Sequence, residues 1–185
     1  MADWREALAQ SRVLEVLAPL DPHVAGTFPL GLDVEGSDID VLCHAPDAAG
    51  FAQDVWQAFA GCADFAMHQW ARGERAVVAA FTLRGVPFEI FGSPLPVVEQ
   101  VGWQHFDVER RLLDLGGPTF RDAVMQARAT GAKTEPAFAQ VLDLPGDPYA
   151  AMLALSALDD AGLRARIDQA SGPAAKLLRV ISKMT

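Results

Sequence analysis

Apolar and polar positions alternate in two different periods along this chain, and the change falls near its middle. Over residues 3–18 (DWREALAQSRVLEVLA), Trp4, Leu8, Val13, Leu14 and Leu17 fall near one face of a helix, which Pro19 and Pro22 end. Residues 24–28 form a short apolar segment, and 29–37 (PLGLDVEGS) read as an irregular turn. Residues 38–43 (DIDVLC) alternate acid and apolar, the period of a strand. A helix follows over roughly 47–60, with Phe51, Val55 and Phe59 on one stripe. Three strands are expected at 64–71, 75–83 and 86–92, the last two joined by a hairpin at Arg84–Gly85. Beyond Pro94 only helical patterns recur, at about 95–105, 106–115, 119–130, 135–142, 149–158 and 173–183, punctuated by Gly116, Gly117, Gly131 and Gly146.

The fold class is therefore α/β in the α+β sense: a mixed sheet with flanking helices over residues 1–93, then a helical half over 94–185 packed on that core. The chain has 185 residues, 51% hydrophobic and 21% charged, which excludes a disordered or low-complexity polypeptide. No apolar run approaches the ~20 residues of a membrane span, and MADWREALAQ is not of signal-peptide type, so a cytoplasmic location without membrane partners is expected. Cys43 and Cys62 make no disulfide framework; Cys43 reads as a small buried hydrophobe. The net charge of −9 disfavours nonspecific binding of nucleic acid. Arg164, Arg166, Lys176, Arg179 and Lys183, set against Asp168, read as a solvated helix face.

The chemistry lies in residues 26–41, GTFPLGLDVEGSDIDV. Asp38 and Asp40 are two apart on a strand, so their carboxylates share a face while Ile39 and Val41 enter the core. Adjacent carboxylates repel, and a hard divalent cation such as Mg²⁺ relieves the repulsion. Upstream, the Gly26–Thr27 turn offers backbone N–H groups with no side chain in the way of a phosphate. In VPFEIFG, Val86, Phe88 and Ile90 share one face and Glu89 takes the other. If the two strands are neighbours, Asp38, Asp40 and Glu89 converge in a manner suited to two-metal phosphoryl chemistry.

Among the helices, Thr134 reads as the N-cap of the 135–142 helix, and Lys133 beside it opposes the helix dipole, so a triphosphate is its candidate partner. His105 and Glu109 are spaced to pair along a helix. Asp147–Pro148 reads as a helix start, and Tyr149, Trp4, Trp56, Trp70 and Trp103 as core or cleft packing.

The Gly26–Thr27 turn, the Asp38-Ile39-Asp40 triplet and the later apolar–Glu89–apolar strand resemble the signature of the DNA polymerase β-type nucleotidyltransferase superfamily. Gly26, Gly31, Ser37, Asp38 and Asp40 stand at the expected positions. Thr27 replaces the commoner Ser and keeps its hydroxyl, whereas Leu30 stands where many members carry Arg. Over nearly the whole chain, GTFPLGLDVEGSDIDVLC, FEIFG, the stretch from Glu99 to Glu109, KTEPAFA (133–139) and GDPY (146–149) resemble the family called domain of unknown function 4269. The resemblance implies a nucleotidyltransferase-like fold.

The expected activity is transfer of a nucleoside monophosphate from an NTP to an acceptor hydroxyl. Asp38, Asp40 and Glu89 are the catalytic and metal-holding residues, with Mg²⁺ or Mn²⁺ as cofactor. Gly26, Thr27, Ser37 and Lys133 are the nucleotide-binding residues. The acceptor is a small molecule, a protein or an RNA end. The alternatives are a nucleotide-binding or regulatory module without turnover, against which the three acids argue, and a nucleotidyltransferase of toxin–antitoxin type.

Overall fold

The computed structural model describes residues 3–71 and 73–172. They fall into two compact units, the first running through Gln104 and the second beginning at His105.

The first unit opens with helix α1 (Trp4–Ser11) and helix α2 (Val13–Val16). A single helix over 3–18 is expected from periodicity, but Arg12 adopts a left-handed conformation with φ 52° and splits it. The Ser11 hydroxyl takes part in the break, donating to the Leu8 carbonyl and accepting from the Val13 N–H. Strand β1 (His23–Ala25) leads into the short helix α3 (Thr27–Leu30), which takes the first two positions of the expected 29–37 turn. Strand β2 (Ile39–His44) is followed by helix α4 (Ala48–Phe59), whose N-cap Asp47 accepts from the Ala49 and Gly50 N–H groups. Strands β3 (Ala63–Gln69), β4 (Val77–Leu83) and β5 (Val86–Ser93) complete the sheet.

The strand order is β1-β2-β5-β4-β3. β2 and β5 run parallel, and the other neighbouring pairs are antiparallel, including the expected β4–β5 hairpin. One face carries the core. Ile39, Val41 and Cys43 of β2, Ala79 and Phe81 of β4, and Phe88 and Ile90 of β5 pack with Phe51, Val55 and Phe59 of α4. Phe81 stacks between Phe59 and Phe88, each at 4.8 Å between ring centroids. Gly92 is required here for space, because a Cβ would lie 2.4 Å from the Phe51 ring. Burial, followed by the charge of Asp21, pushes the Cys43 thiol up to about 12, so it acts as a small hydrophobe.

Helix α5 (Val101–Ala129) runs through the boundary expected between 105 and 106, whereas the break expected at Gly116–Gly117 is present within it. Its kink is at Gly117, where φ is 67° and ψ −164°, and Pro118 opens the continuation. The second unit continues with α6 (Thr134–Val141), α7 (Pro148–Ser156) and α8 (Asp160–Ser171). Asp147 caps α7 by accepting from the Ala150 N–H, as the sequence indicates. Helix α8 is not expected from periodicity, since only Leu163 and Ile167 in it are buried; Asp159 starts it by accepting from the Gly162 N–H. Arg164 and Arg166 lie on this helix, whereas Lys176, Arg179, Lys183 and the helix expected at 173–183 lie outside the described residues. None of the described helices is long and apolar enough to cross a membrane.

Three expectations for side chains are corrected. His105 pairs with Glu135 (Nδ1 to Oε1, 3.3 Å) and not with Glu109, and its Nε2 lies 3.2 Å from the Tyr149 carbonyl. The N-cap of α6 is Lys133 and Thr134 is the first helical residue, because the Thr134 hydroxyl accepts from Arg128 Nη1 at 2.6 Å. Tyr149, Trp56 and Trp70 are exposed.

Glu109 is buried, with Oε1 unpartnered. Burial pushes its carboxyl well up, the charge of Glu135 adds to the rise, and Arg128 opposes it. Burial also pushes Glu135 up, but the His105 hydrogen bond and nearby positive charge outweigh it and hold that carboxyl below the usual range. A carboxyl raised on folding makes the native state bind more protons than the unfolded chain above about pH 4.5, so stability falls as pH rises from there. Urea unfolding across pH is expected to show a shallower fall for Glu109→Gln than for the wild type, with the variant the more stable above neutrality. Equal slopes would contradict the assignment.

Candidate active site

The face of the sheet opposite the core holds the acids. Its first row runs across four strands: Asp40 pairs with Glu89 in the parallel ladder, Glu89 with Ala80, and Ala80 with Ala66. Neighbouring strands are ~4.8 Å apart, so Asp40 and Glu89 stand side by side. Asp38 sits just before β2 and is half-buried. Burial pushes the Glu89 carboxyl up, the Asp38 charge pushes it further, and His68 opposes the rise. The structure therefore sets Asp40 and Glu89 side by side, as the alternation in both strands indicates, with Asp38 near enough for its charge to act on Glu89.

Asp40 also pairs across β1 with Ala25, which delivers Gly26 against its carboxylate. A Cβ on Gly26 would fall 1.8 Å from Asp40 Oδ2 and 2.9 Å from Cγ. Gly26 has φ 74° and ψ −159°, a region that side chains oppose. Two independent constraints thus fix glycine at this position. Thr27, half-buried, begins α3 directly after it. Ser37 closes the turn that feeds β2: its hydroxyl accepts from the Val34 N–H at 2.9 Å and its own N–H donates to the Val34 carbonyl. Lys133 is exposed, belongs to the second unit, and its charge favours ionised Glu135.

Among the described residues, no group of three or more His, Cys, Asp or Glu side chains is gathered tightly enough to hold a metal ion as it stands. The donor set nonetheless suits a hard cation. It is all carboxylate, Asp40 and Glu89 share one sheet face, and the Asp38 charge adds to burial in raising the Glu89 carboxyl.

A family model described as a domain of unknown function (DUF4269) matches residues 6–155. The chain belongs to the DUF4269 family. No curated protein matches this DUF4269 chain. Among solved structures it is similar to Cid1 poly(U) polymerase bound to MgGTP, with 14% identity and a TM-score of 0.53 over 80% of this chain and 47% of that one. The same enzyme bound to Mg 3′-dATP gives 15% and 0.53 over 81% and 46%. A cytoplasmic RNA terminal U-transferase gives 15% and 0.50 over 76% and 44%. The DUF4269 chain spans less than half the length of these structures. The likeness shows the fold, a nucleotidyltransferase-like mixed sheet with flanking helices.

His68 and Trp70 were not singled out by the sequence as site residues. The strand register places His68 on the acid face, and the signal available beforehand was only the alternation of Ala66, His68 and Trp70 along β3. The steric account of Gly26 predicts that Gly26→Ala costs roughly 1–3 kcal/mol from backbone strain alone, with the Asp40 clash added. In a double-mutant cycle with Asp40→Ala, the clash vanishes and the strain remains. Additive costs would contradict the contact.

Proposed function

We propose that the DUF4269 chain is a nucleotidyltransferase that moves a nucleoside monophosphate from an NTP to an acceptor hydroxyl and releases pyrophosphate. The observation that carries this reading is the side-by-side placement of Asp40 and Glu89 beside Asp38, on a nucleotidyltransferase fold. Asp38 and Asp40 would hold Mg²⁺ under the triphosphate, and with Glu89 a second such ion at the acceptor; Mn²⁺ has the same ligand preferences. The ions, when bound, neutralise charge on the phosphates and favour the acceptor alkoxide.

The chain's own residues do the rest. Gly26 keeps the approach to the Asp40 carboxylate free of side-chain atoms. Thr27 offers a hydroxyl and backbone N–H beside it, and the Ser37 hydroxyl, while accepting from Val34, can still donate to a phosphate oxygen. Glu89 stands where it can also accept the acceptor's proton. Catalysis is then mainly positioning and charge neutralisation.

Calorimetric titration with each NTP, with and without Mg²⁺, tests this. Wild type is expected to bind at least one NTP only with Mg²⁺. Asp40→Asn, verified as folded by its unfolding curve, is expected to lose that binding and to lower transfer on the order of 10²–10³-fold. Mg²⁺-dependent binding and transfer that survive Asp40→Asn would overturn the assignment, and no NTP binding by the folded wild type would overturn the activity.

A further inference from the structure

The acid face continues past Glu89 toward the free edge of the sheet. Its first row ends in Ala80 and Ala66. The adjacent row carries Leu42, Phe91, Val78 and His68. Trp70, two residues beyond His68, packs its ring edge-on against Phe91 with centroids 5.1 Å apart. At the β2 end this face is covered, since Leu42 is buried and lies against Gly102. Toward β3 it opens: Ala66 and His68 are exposed and Trp70 is 45% exposed. The result is a shelf floored by two alanines, bounded by Glu89 on one side and by Phe91, Trp70 and His68 on the other.

Each wall has a chemical meaning. Small floor residues leave room beside Glu89 for a molecule lying on the sheet. An exposed indole backed by a second aromatic ring offers a flat apolar surface, and such surfaces take ring faces. His68 lies on the same face, two strands across from Glu89 and one row along, so it borders the same space. Neither row contains Lys or Arg, and the whole chain carries −9. A polyphosphate backbone is poorly matched to such a surface.

We propose that this shelf is the acceptor subsite and that it takes a small ring-bearing alcohol, its ring on Trp70 and Phe91 and its hydroxyl at Glu89. The inference rests on the nucleotidyltransferase reading. The acceptor oxygen forms a bond to the α-phosphorus, and the bond from that phosphorus to the α–β bridging oxygen breaks. Pyrophosphate leaves with that electron pair, and the hydroxyl proton passes to the Glu89 carboxylate.

The test offers the full chain, with Mg²⁺ and an NTP radiolabelled at the α-phosphate, separate metabolite, RNA and protein fractions of a cell extract. Label is expected in the metabolite fraction. Trp70→Ala is expected to raise the apparent KM for that fraction about tenfold, the size of a lost ring stack. Trp70→Phe should restore most of it, and calorimetric affinity for Mg·NTP should match wild type in both variants. Label in RNA or protein, or metabolite labelling that Trp70→Ala does not move, overturns the inference. Mg·NTP binding without label in the metabolite fraction also overturns it and leaves the triphosphate site standing. Failure of wild type to bind any Mg·NTP removes the nucleotidyltransferase reading and this inference with it.

Discussion

Asp40 and Glu89 face each other across the parallel pair of the sheet, half-buried, with Asp38 close by. Like charges at such a spacing destabilise each other unless a cation or a proton intervenes. The opposite faces of the same strands hold them there. Ile39 and Val41 on β2 and Phe88 and Ile90 on β5 are fully or almost fully buried. A slip of one residue in either strand would send an acid into that core and an apolar side chain out. The apolar packing of one face thus secures an unfavourable electrostatic arrangement on the other. The same reasoning explains Gly26, where the backbone yields its side chain so that the Asp40 carboxylate can sit against it.

The second unit shows a different treatment of buried charge. Two polar contacts join α5 to α6, His105 with Glu135 and Arg128 with Thr134. Glu109 lies among them with one oxygen unpartnered, and Arg128 Nε is likewise unpartnered. Burial keeps the Glu109 carboxyl in its protonated form over a wider pH range than an exposed one. Here a proton relieves the charge; on the sheet, the geometry suits a divalent ion in that role.

How much of this was legible in the sequence depends on range. The alternation in DIDVLC and VPFEIFG assigned Asp40, Glu89 and their apolar neighbours to the faces they occupy, because the strand period is local. That the two strands are adjacent and parallel is a long-range fact; it entered only as a condition. The partner of His105 was misassigned for the same reason. Helical spacing brings Glu109 within reach, while Glu135 arrives from another helix through tertiary packing. Arg12 split a helix through a local backbone conformation that periodicity does not register, whereas the Gly117–Pro118 kink falls where glycine already punctuates the helical pattern. Trp70 reads as core by its apolar surface, but the sheet ends at β3, and the indole stays 45% exposed against Phe91.

The most direct measurement is paramagnetic relaxation. Mn²⁺ would replace Mg²⁺ in the presence of a bound NTP, and amide signals would be followed by NMR. The account predicts that broadening centres on the amides of Gly26, Asp38, Asp40 and Glu89 and fades along β2 and β5 away from them. Broadening centred on the Glu109–Glu135 cluster, or spread over exposed acids without focus, would contradict it.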